Sequence, residues 1–257
     1  MKKDHILSID QSTQGTKALL FDSEGRLICR ADRPHRQIVN DAGWVSHDLS
    51  EIYKNVLQVV RDVVEKSGID KNRIAGLGIS NQRETAAGWF KSTGESADNA
   101  IVWQCSRAKG ICAKIKAEGK AEIVREKTGI NLSPYFPAAK YTWFTLNIPG
   151  VDKARAKGDI AFGTIDSWLV YRLTGGKSYK TDYSNASRTQ LLNLKTLTWD
   201  PELCDMFNIS IDELPEICDS NCQFGETDFE GFLDTPIPIC GVLGDSHGAL
   251  FGQGCLK

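Results

Sequence analysis

The 257-residue sequence lacks an excess of charge of either sign and lacks any long apolar run. Its 31 lysine and arginine residues nearly balance its 33 aspartate and glutamate residues, and the formal net charge is −2. A basic surface for nucleic acid is therefore not expected. No run reaches the roughly 20 apolar residues that cross a bilayer, and the one after residues 1–5 is too short for a signal peptide. We expect a globular cytoplasmic protein without a nucleic-acid or membrane partner.

The eight cysteines lack the spacing of a metal site. Cys218 and Cys222 lie close together in CDSNC, but no second cysteine or histidine pair completes a zinc site. The pattern favours reduced thiols in a cytosolic protein. The sequence also lacks a P-loop of the form GxxxxGK[ST], so any phosphate-binding loop must have another structure.

Short apolar runs separated by turn signals predict strands at the start of the chain. Residues 6–9, 18–21 and 27–29 read as an antiparallel meander. Residues 48–65 then carry apolar side chains at a helical period, with Asp48 or Ser50 as the N-cap and Gly68 as the stop. We expect this helix to pack on the meander.

Strands and helices alternate through the rest of the chain, which favours an α/β fold. The predicted elements are a strand at 74–80, a strand at 100–104, a mostly helical segment at 106–128 weakened at Gly119, a helix that opens near Asp166 and stops at Gly175 and Gly176, and a strand at 237–243. A helix start at Gly244 and Asp245 follows the last strand.

The stretch SIDQSTQGTKALLFD delivers an aspartate from a strand into a tight turn. Asp10 ends the first apolar run, and a hydroxyl-rich link with Gly15 follows. Such a turn can direct N–H and hydroxyl groups at phosphate oxygens, while the aspartate holds hydrated Mg²⁺ and Lys17 adds positive charge. A plain hairpin with a capping aspartate is the alternative, and this pattern alone favours it.

Two further blocks place charged side chains directly after apolar strands. In NQRET, Arg83 and Glu84 can donate to and accept from neighbouring hydroxyls of a polyol, or form a salt bridge at the strand end. In GVLGDSHGALFGQ, Asp245 can take a proton from an attacking hydroxyl beside a helix start that favours phosphate, or serve as a helix N-cap. We interpret His247 as structural or adjacent to the site rather than catalytic.

Six blocks in order carry a resemblance to a known family. ISNQRET, NAIVWQCSR, SPYFPAAK, GTIDSWLVYRLTGG, TDYSNASRT and GDSHGALFGQ resemble the glycerol kinase branch of the FGGY carbohydrate kinases, within the actin/hexokinase-type ATPases. The resemblance covers nearly the whole chain, and six ordered blocks are far more specific than DQSTQGT alone. It implies an α/β domain of the actin-like ATPase (ribonuclease H-like) type, with a mixed sheet flanked by helices.

The resemblance implies a role for each matched residue. Asp245 would be the general base and, with Asp10, a ligand of Mg²⁺. Trp103 would form an apolar wall and Tyr135 would add a hydroxyl donor. The implied polyol-binding residues are Arg83, Glu84, Trp103, Tyr135, Asp245 and Ser246. The implied ATP-binding residues are Asp10, Thr13, Gln14, Gly15, Thr16 and Lys17.

The match departs from the family pattern in the residues near the substrate. Glycerol kinases usually have DQGTT followed by small residues and arginine, and here Ser12, Gln14 and Lys17 stand instead; Ser246 stands where glutamine is usual. The resemblance implies ATP-dependent phosphorylation of a polyol, and glycerol first. Another substrate, such as xylulose, ribulose or erythritol, stays open, as does a non-catalytic sugar-binding module. A binding module has no need for Asp10 on the metal side, and this favours the kinase.

The family also has a second, C-terminal actin-like domain that carries the rest of the adenosine site. We therefore expect residues 1–257 to form the N-terminal, substrate-side domain, with the C-terminal domain absent from this chain. The expected partners are therefore a small polyol or sugar and ATP. We also expect an exposed apolar face where a second lobe would pack, which favours self-association and leaves a homo-oligomer open.

Overall fold

Three antiparallel strands begin the fold, and strands and helices alternate after them. The computed structural model describes residues 3–255. The strands are β1 (His5–Gln11), β2 (Gly15–Asp22), β3 (Leu27–Pro34), β4 (Ile38–Val39), β5 (Val45–His47), β6 (Ile74–Asn81), β7 (Ala86–Phe90), β8 (Ala100–Ile101), β9 (Ile160–Thr164), β10 (Lys180–Asp182), β11 (Leu192–Asn193), β12 (Thr198–Trp199), β13 (Glu216–Cys218), β14 (Gly225–Thr227) and β15 (Ile237–Gly244). The helices are α1 (Leu49–Ser67), α2 (Lys109–Ala117), α3 (Ala121–Thr128), α4 (Pro137–Asn147), α5 (Val151–Ala156), α6 (Ile165–Leu173), α7 (Tyr183–Ala186), α8 (Pro201–Met206) and α9 (Asp245–Gly252).

A six-stranded mixed sheet, in the order β14-β15-β6-β1-β2-β3, forms the centre of the fold. Strands β15, β6 and β1 are parallel to one another, whereas β2, β3 and β14 each run antiparallel to their neighbours. The carboxyl ends of the three parallel strands, at Gln11, Asn81 and Gly244, therefore meet at one edge of the sheet. Ligands of open α/β sheets bind at such an edge.

Helix α1 packs on β2 and β3, as the sequence predicted. The Asp48 carboxylate accepts hydrogen bonds from the backbone N–H groups of Ser50 (2.7 Å) and Glu51 (3.3 Å), so Asp48 rather than Ser50 is the N-cap. Gly68 ends the helix, also as predicted. The helix buries an apolar face rich in valine, and full burial of each such side chain contributes about 1.5–3 kcal/mol.

A second, antiparallel sheet, in the order β4-β5-β8-β7-β9, organises the other half of the core. Helices α4 and α5 pack on it, and α2 packs on α4. Helix α6 lies between the two sheets, because it contacts β6 and β14 of the first and β7 and β9 of the second. Its buried Trp168 packs against Trp89 of β7, with 5.5 Å between the ring centroids.

Several predicted elements differ in their limits from the observed ones; the strand predicted at 27–29, for example, extends to Pro34. The helical segment at 106–128 is two helices, α2 and α3, because the chain passes through a left-handed conformation at Gly119 (φ 76°). The strand at 100–104 is reduced to Ala100–Ile101, because the N–H of Trp103 donates to the Thr85 hydroxyl (3.2 Å) instead of to a neighbouring strand. Helix α6 begins at Ile165 and ends at Leu173, just before the predicted glycine stop.

Two further observations concern the thiols and the helices. All eight cysteines are free thiols. Within residues 3–255, every helix is too short or too polar to cross a membrane.

Candidate active site

The predicted phosphate-side and base-side carboxylates lie at the same edge of the central sheet. Asp10 in β1 and Leu243 in β15 both align with Ser80 of β6. Neighbouring strands lie about 4.8 Å apart, so β1 and β15 are separated by roughly 10 Å across β6. Asp245 directly follows β15 as the first residue of α9, and Gly244 is the N-cap. The alternative that Asp245 is the N-cap is therefore wrong.

The link between β1 and β2 is a short hairpin of Ser12, Thr13 and Gln14. The N–H and the hydroxyl of Ser12 both donate to the carbonyl of Gly15, at 2.9 and 3.0 Å. Thr16 is fully buried within β2, so its hydroxyl does not reach solvent in this structure. The accessible parts of the predicted phosphate loop are therefore the hairpin turn and the side chains of Asp10 and Lys17, which are 30% and 32% exposed.

Asp10 and Lys17 form an ion pair across the base of this hairpin. They are partners in the antiparallel register, and Lys17 Nζ lies 2.6 Å from Asp10 Oδ2. Residues 3–255 contain no group of three or more side chains suited to hold a metal ion. Mg²⁺ is commonly held by one or two carboxylates together with substrate phosphates and water. The single carboxylate of Asp10 is therefore suited to hold a Mg²⁺ ion that arrives with a nucleotide phosphate.

Arg83 holds three consecutive side chains at the start of α9. Its Nε donates to Asp245 Oδ1 (3.0 Å), its Nη2 donates to the Ser246 hydroxyl (2.8 Å), and its Nη1 lies 3.3 Å from His247 Nδ1. A Cβ atom at Gly244 would clash with Cγ and Cδ of Arg83, so glycine leaves room for the arginine side chain. Arg83 therefore sets the position of the predicted base.

Glu84 is buried and does not pair with its neighbour Arg83. Its carboxylate accepts a 2.6 Å hydrogen bond from Nε of Arg188, and only 5% of its side chain is exposed. The alternative that Arg83 and Glu84 form a salt bridge with each other is therefore wrong. Glu84 also has φ 61°, a left-handed conformation that costs about 1–3 kcal/mol in a non-glycine residue. The surrounding contacts must hold this residue in place.

An aromatic pair lies beside these charges. The rings of Trp103 and Tyr135 are 5.5 Å apart, and Trp103 Nε1 donates to the hydroxyl of Thr13 in the hairpin (3.0 Å). Burial and the negative charge of Glu84 raise the pKa of Tyr135 above its ordinary value, so its hydroxyl stays a donor at neutral pH. The aromatic wall and the hairpin are thus directly connected.

Two buried glutamines that the sequence did not single out join the ends of β1 and β6. Gln82 Nε2 donates to Gln11 Oε1 (2.9 Å), and the Gln82 N–H donates to the Gln11 carbonyl (2.7 Å). The hydroxyl of Thr85 donates to Gln82 Oε1 at 2.9 Å. Their positions at the ends of apolar strands could have pointed to them, because a buried side-chain amide there needs hydrogen-bond partners.

A second polar network supports the end of β15. The N–H of Gly244 donates to the Ser184 hydroxyl at 2.8 Å, and Asp182 caps the short helix that contains Ser184. Asn185 of the same helix exchanges amide hydrogen bonds with Asn81 at the end of β6 (2.9 and 3.1 Å). The block TDYSNASRT therefore fixes the two strand ends that precede Arg83 and Asp245.

The family model for the N-terminal domain of the FGGY family of carbohydrate kinases matches residues 5–252. The chain belongs to the FGGY family. Glycerol kinase 1 of Thermotoga maritima is 48% identical over 97% of this chain and 51% of its own length, and the glycerol kinase of Desulfitobacterium hafniense is 44% identical over 98% and 51%. The chain spans about half the length of these curated relatives.

Solved structures of FGGY kinases share the fold. Plasmodium falciparum glycerol kinase with ADP superposes with a TM-score of 0.93 at 34% identity, over 100% of this chain and 51% of that one. Ligand-bound xylulose kinase from Lactobacillus acidophilus gives a TM-score of 0.85 at 27% identity, over 97% and 50%. The predicted family and the actin-like α/β fold with a mixed sheet are both confirmed.

The structure gathers the predicted residues into one region, although their individual roles stay predictions. The hairpin and the aromatic pair are joined by the hydrogen bond from Trp103 to Thr13. Arg83, Asp245 and Ser246 form one hydrogen-bonded cluster, and the Gln11–Gln82 pair joins the strand ends that precede the hairpin and Arg83. His247 lies beside Arg83, as expected for an adjacent residue. Arg188 lies in TDYSNASRT, one of the six blocks that carry the resemblance, but the sequence analysis gave it no role.

We expect Arg188→Met to destabilise the chain by about 3 kcal/mol, because it leaves the buried Glu84 carboxylate without its cation. The double variant Glu84→Gln/Arg188→Met should recover part of this loss, since the unpaired charge is gone. Urea unfolding measures both. Arg125→Met, which removes an exposed pair with Glu122, is the control and should change little. Equal stability of Arg188→Met and the unvaried chain would contradict the importance of this pair.

Proposed function

We propose that this chain is the polyol-side half of an ATP-dependent kinase that converts glycerol to glycerol 3-phosphate. The observation that carries the proposal is the Arg83–Asp245–Ser246 cluster, held at the same sheet edge as the Asp10–Lys17 hairpin. A hydroxyl placed between them would have a base on one side and phosphates on the other. The names of the curated relatives, and the ADP of the Plasmodium glycerol kinase structure, support this assignment. We assign the activity to the cytoplasm.

The chemistry follows from these side chains. The carboxylate of Asp245 accepts the proton as the substrate oxygen bonds to the γ-phosphorus, and the bond to the bridging oxygen breaks to release ADP. Arg83 holds Asp245 in place, while Arg83 and Glu84 bind the remaining hydroxyls. Trp103 and Tyr135 cover the carbon chain and exclude water. Mg²⁺, held by Asp10 with Asp245 as the second predicted carboxylate, would neutralise the phosphate charge.

We also propose that a second lobe completes the nucleotide site. The family description of the matched region as an N-terminal domain supports this, as does the half-length match to the relatives. Helix α9 has no buried residue, and its Leu250 and Phe251 are 54% and 66% exposed. Such an apolar surface is suited to contact another lobe or a second copy of the chain.

We expect the chain to bind glycerol more tightly than erythritol, xylulose or ribulose, because the relatives at 44–48% identity are glycerol kinases, whereas the xylulose kinase is 27% identical. Isothermal calorimetry with the four compounds tests this. Gly244→Ala should weaken glycerol binding by roughly tenfold or more, because the new methyl displaces Arg83. Gly248→Ala is the control, since its Cβ would be 3.6 Å from the nearest atom. Tighter binding of xylulose or ribulose than of glycerol would contradict the assignment of glycerol as the substrate.

Asp245→Asn should reduce phosphorylation by about 10²- to 10⁴-fold, the usual contribution of a general base. Glycerol affinity should stay within about tenfold, because the amide keeps the size of the carboxylate and an oxygen for Arg83. The assay uses a protein with both halves, the second taken from the Thermotoga relative. Asp152→Asn, an exposed change in α5, is the control. Full turnover by Asp245→Asn would remove Asp245 from the mechanism.

The 257-residue chain alone should fold but should not turn over ATP. In this proposal the hairpin supplies one side of the phosphate contacts and the second lobe the other, and closure of the two lobes positions the γ-phosphate and excludes water. A coupled ADP-release assay with glycerol and Mg²⁺ measures this, with the two-half protein as the positive control. Glycerol-dependent turnover by the chain alone, at ordinary kinase rates, would show that the second lobe is not required.

A further inference from the structure

Lys140 is a fully buried lysine in the first turns of α4, and its ammonium group is surrounded by carbonyl oxygens. Its Nζ donates to the backbone carbonyls of Tyr135 (2.7 Å), Glu84 (2.9 Å) and Trp103 (3.3 Å). An ammonium group has three N–H donors, one for each carbonyl, whereas a neutral amine has two. The geometry therefore fits the charged form, with every donor used.

The three carbonyls belong to segments that are far apart in the sequence. Glu84 follows β6, Trp103 follows β8, and Tyr135 precedes α4. Each is a residue that we propose to contact the polyol. Since all three donors of Lys140 are engaged and its side chain is buried, Lys140 itself does not reach the polyol.

Burying the ammonium of Lys140 costs desolvation energy, which its hydrogen bonds must offset. Burial lowers the pKa of Lys140 to about 7, and the positive charge of Arg107 also opposes the ammonium, while the carboxylate of Glu84 favours it. A methionine or leucine would fill the same volume without this desolvation penalty. The three oriented hydrogen bonds are what an apolar side chain could not provide.

Glu84 shows why such an anchor matters. Its left-handed conformation is unfavourable, and it is held from two sides: Lys140 bonds to its carbonyl, and Arg188 bonds to its carboxylate. Loss of either bond would let this residue relax toward an ordinary conformation and move its carboxylate.

We propose that Lys140 is the positioning residue that fixes Glu84, Trp103 and Tyr135 relative to one another for polyol binding. This inference rests on the proposed function. Lys140 acts through the backbone of these residues, so its removal should change the affinity of folded molecules for the polyol. A role in stability alone would instead change only the fraction of molecules that are folded.

The first test compares Lys140→Met with Val60→Ala. Val60→Ala removes buried volume from α1, in the apolar core beside the six-stranded sheet and away from Lys140. Titration with glycerol by calorimetry gives the dissociation constant and, from the stoichiometry, the fraction of molecules able to bind. Lys140→Met should raise the glycerol dissociation constant by roughly 10- to 100-fold, as expected for misplaced contacts. Val60→Ala should lower thermal stability with an unchanged dissociation constant.

The second test does not depend on glycerol. The indole N–H resonance of Trp103, assigned with Trp103→Phe, reports the hydrogen bond to Thr13. It should shift in Lys140→Met and stay in place in Val60→Ala. If the unvaried chain fails to bind glycerol, the proposed function is wrong, and the indole resonance alone decides the positioning role.

A folded Lys140→Met with unchanged affinity and an unchanged indole resonance would overturn the inference. Should Lys140→Met not fold, Lys140→Gln replaces it in both measurements, because glutamine keeps two N–H donors in the same space. Its effects should have the same direction and be smaller. An unchanged resonance in folded Lys140→Gln would equally overturn the inference.

Discussion

The parallel pairing of β1, β6 and β15 is the constraint on which the candidate site depends. Because these strands run in the same direction, the residues that follow them arrive at one edge although they are distant in sequence. A shift of one residue in either pairing would move one strand end by about 3.3 Å and turn its side chains to the other face. The buried Gln11–Gln82 pair opposes a shift of β1 against β6. The Asn81–Asn185 and Gly244–Ser184 hydrogen bonds join β6 and β15 to the same short helix and oppose a shift of β15 against β6.

The charges at this edge are arranged in separate pairs. Asp10 is paired with Lys17, Asp245 with Arg83, and Glu84 with Arg188. Three carboxylates can therefore lie near one another without strong mutual repulsion, each beside its own cation. The three cations also have different positions: Lys17 lies in β2 beside the hairpin, whereas Arg83 and Arg188 hold the groups proposed to bind the polyol. An edge that is close to neutral would leave the charge of incoming phosphates to the Mg²⁺ and the second lobe that we propose.

Much of this fold could be predicted from the sequence because its signals are local. Apolar runs and turn residues gave the meander, and the helical period with Asp48 and Gly68 gave α1. Local patterns were less reliable where an apolar run leaves the sheet. Residues 100–104 have the composition of a strand, yet Trp103 bonds to Thr85, and composition does not distinguish a buried strand from a buried loop.

The candidate site was predicted by motif, whereas its pairings were not. Nothing near Glu84 in the sequence points to Arg188, which lies 104 positions away, and adjacency suggested Arg83 instead. Lys140 gave no signal of its own, because a lysine in a helix is usually exposed. Such pairings follow from the tertiary structure, which decides which distant polar groups are buried together.

Buried polar side chains support the residues that are proposed to contact the substrate. Apolar side chains pack well in many orientations, but hydrogen bonds are directional and hold a group in one position. Gln82, Asn185 and Lys140 are buried and joined to backbone or amide groups at the strand ends and loops of the site. The accuracy with which Asp245 or Glu84 is placed therefore depends on residues that no substrate contacts. A substitution there can change affinity while the fold, which rests on the apolar clusters, persists.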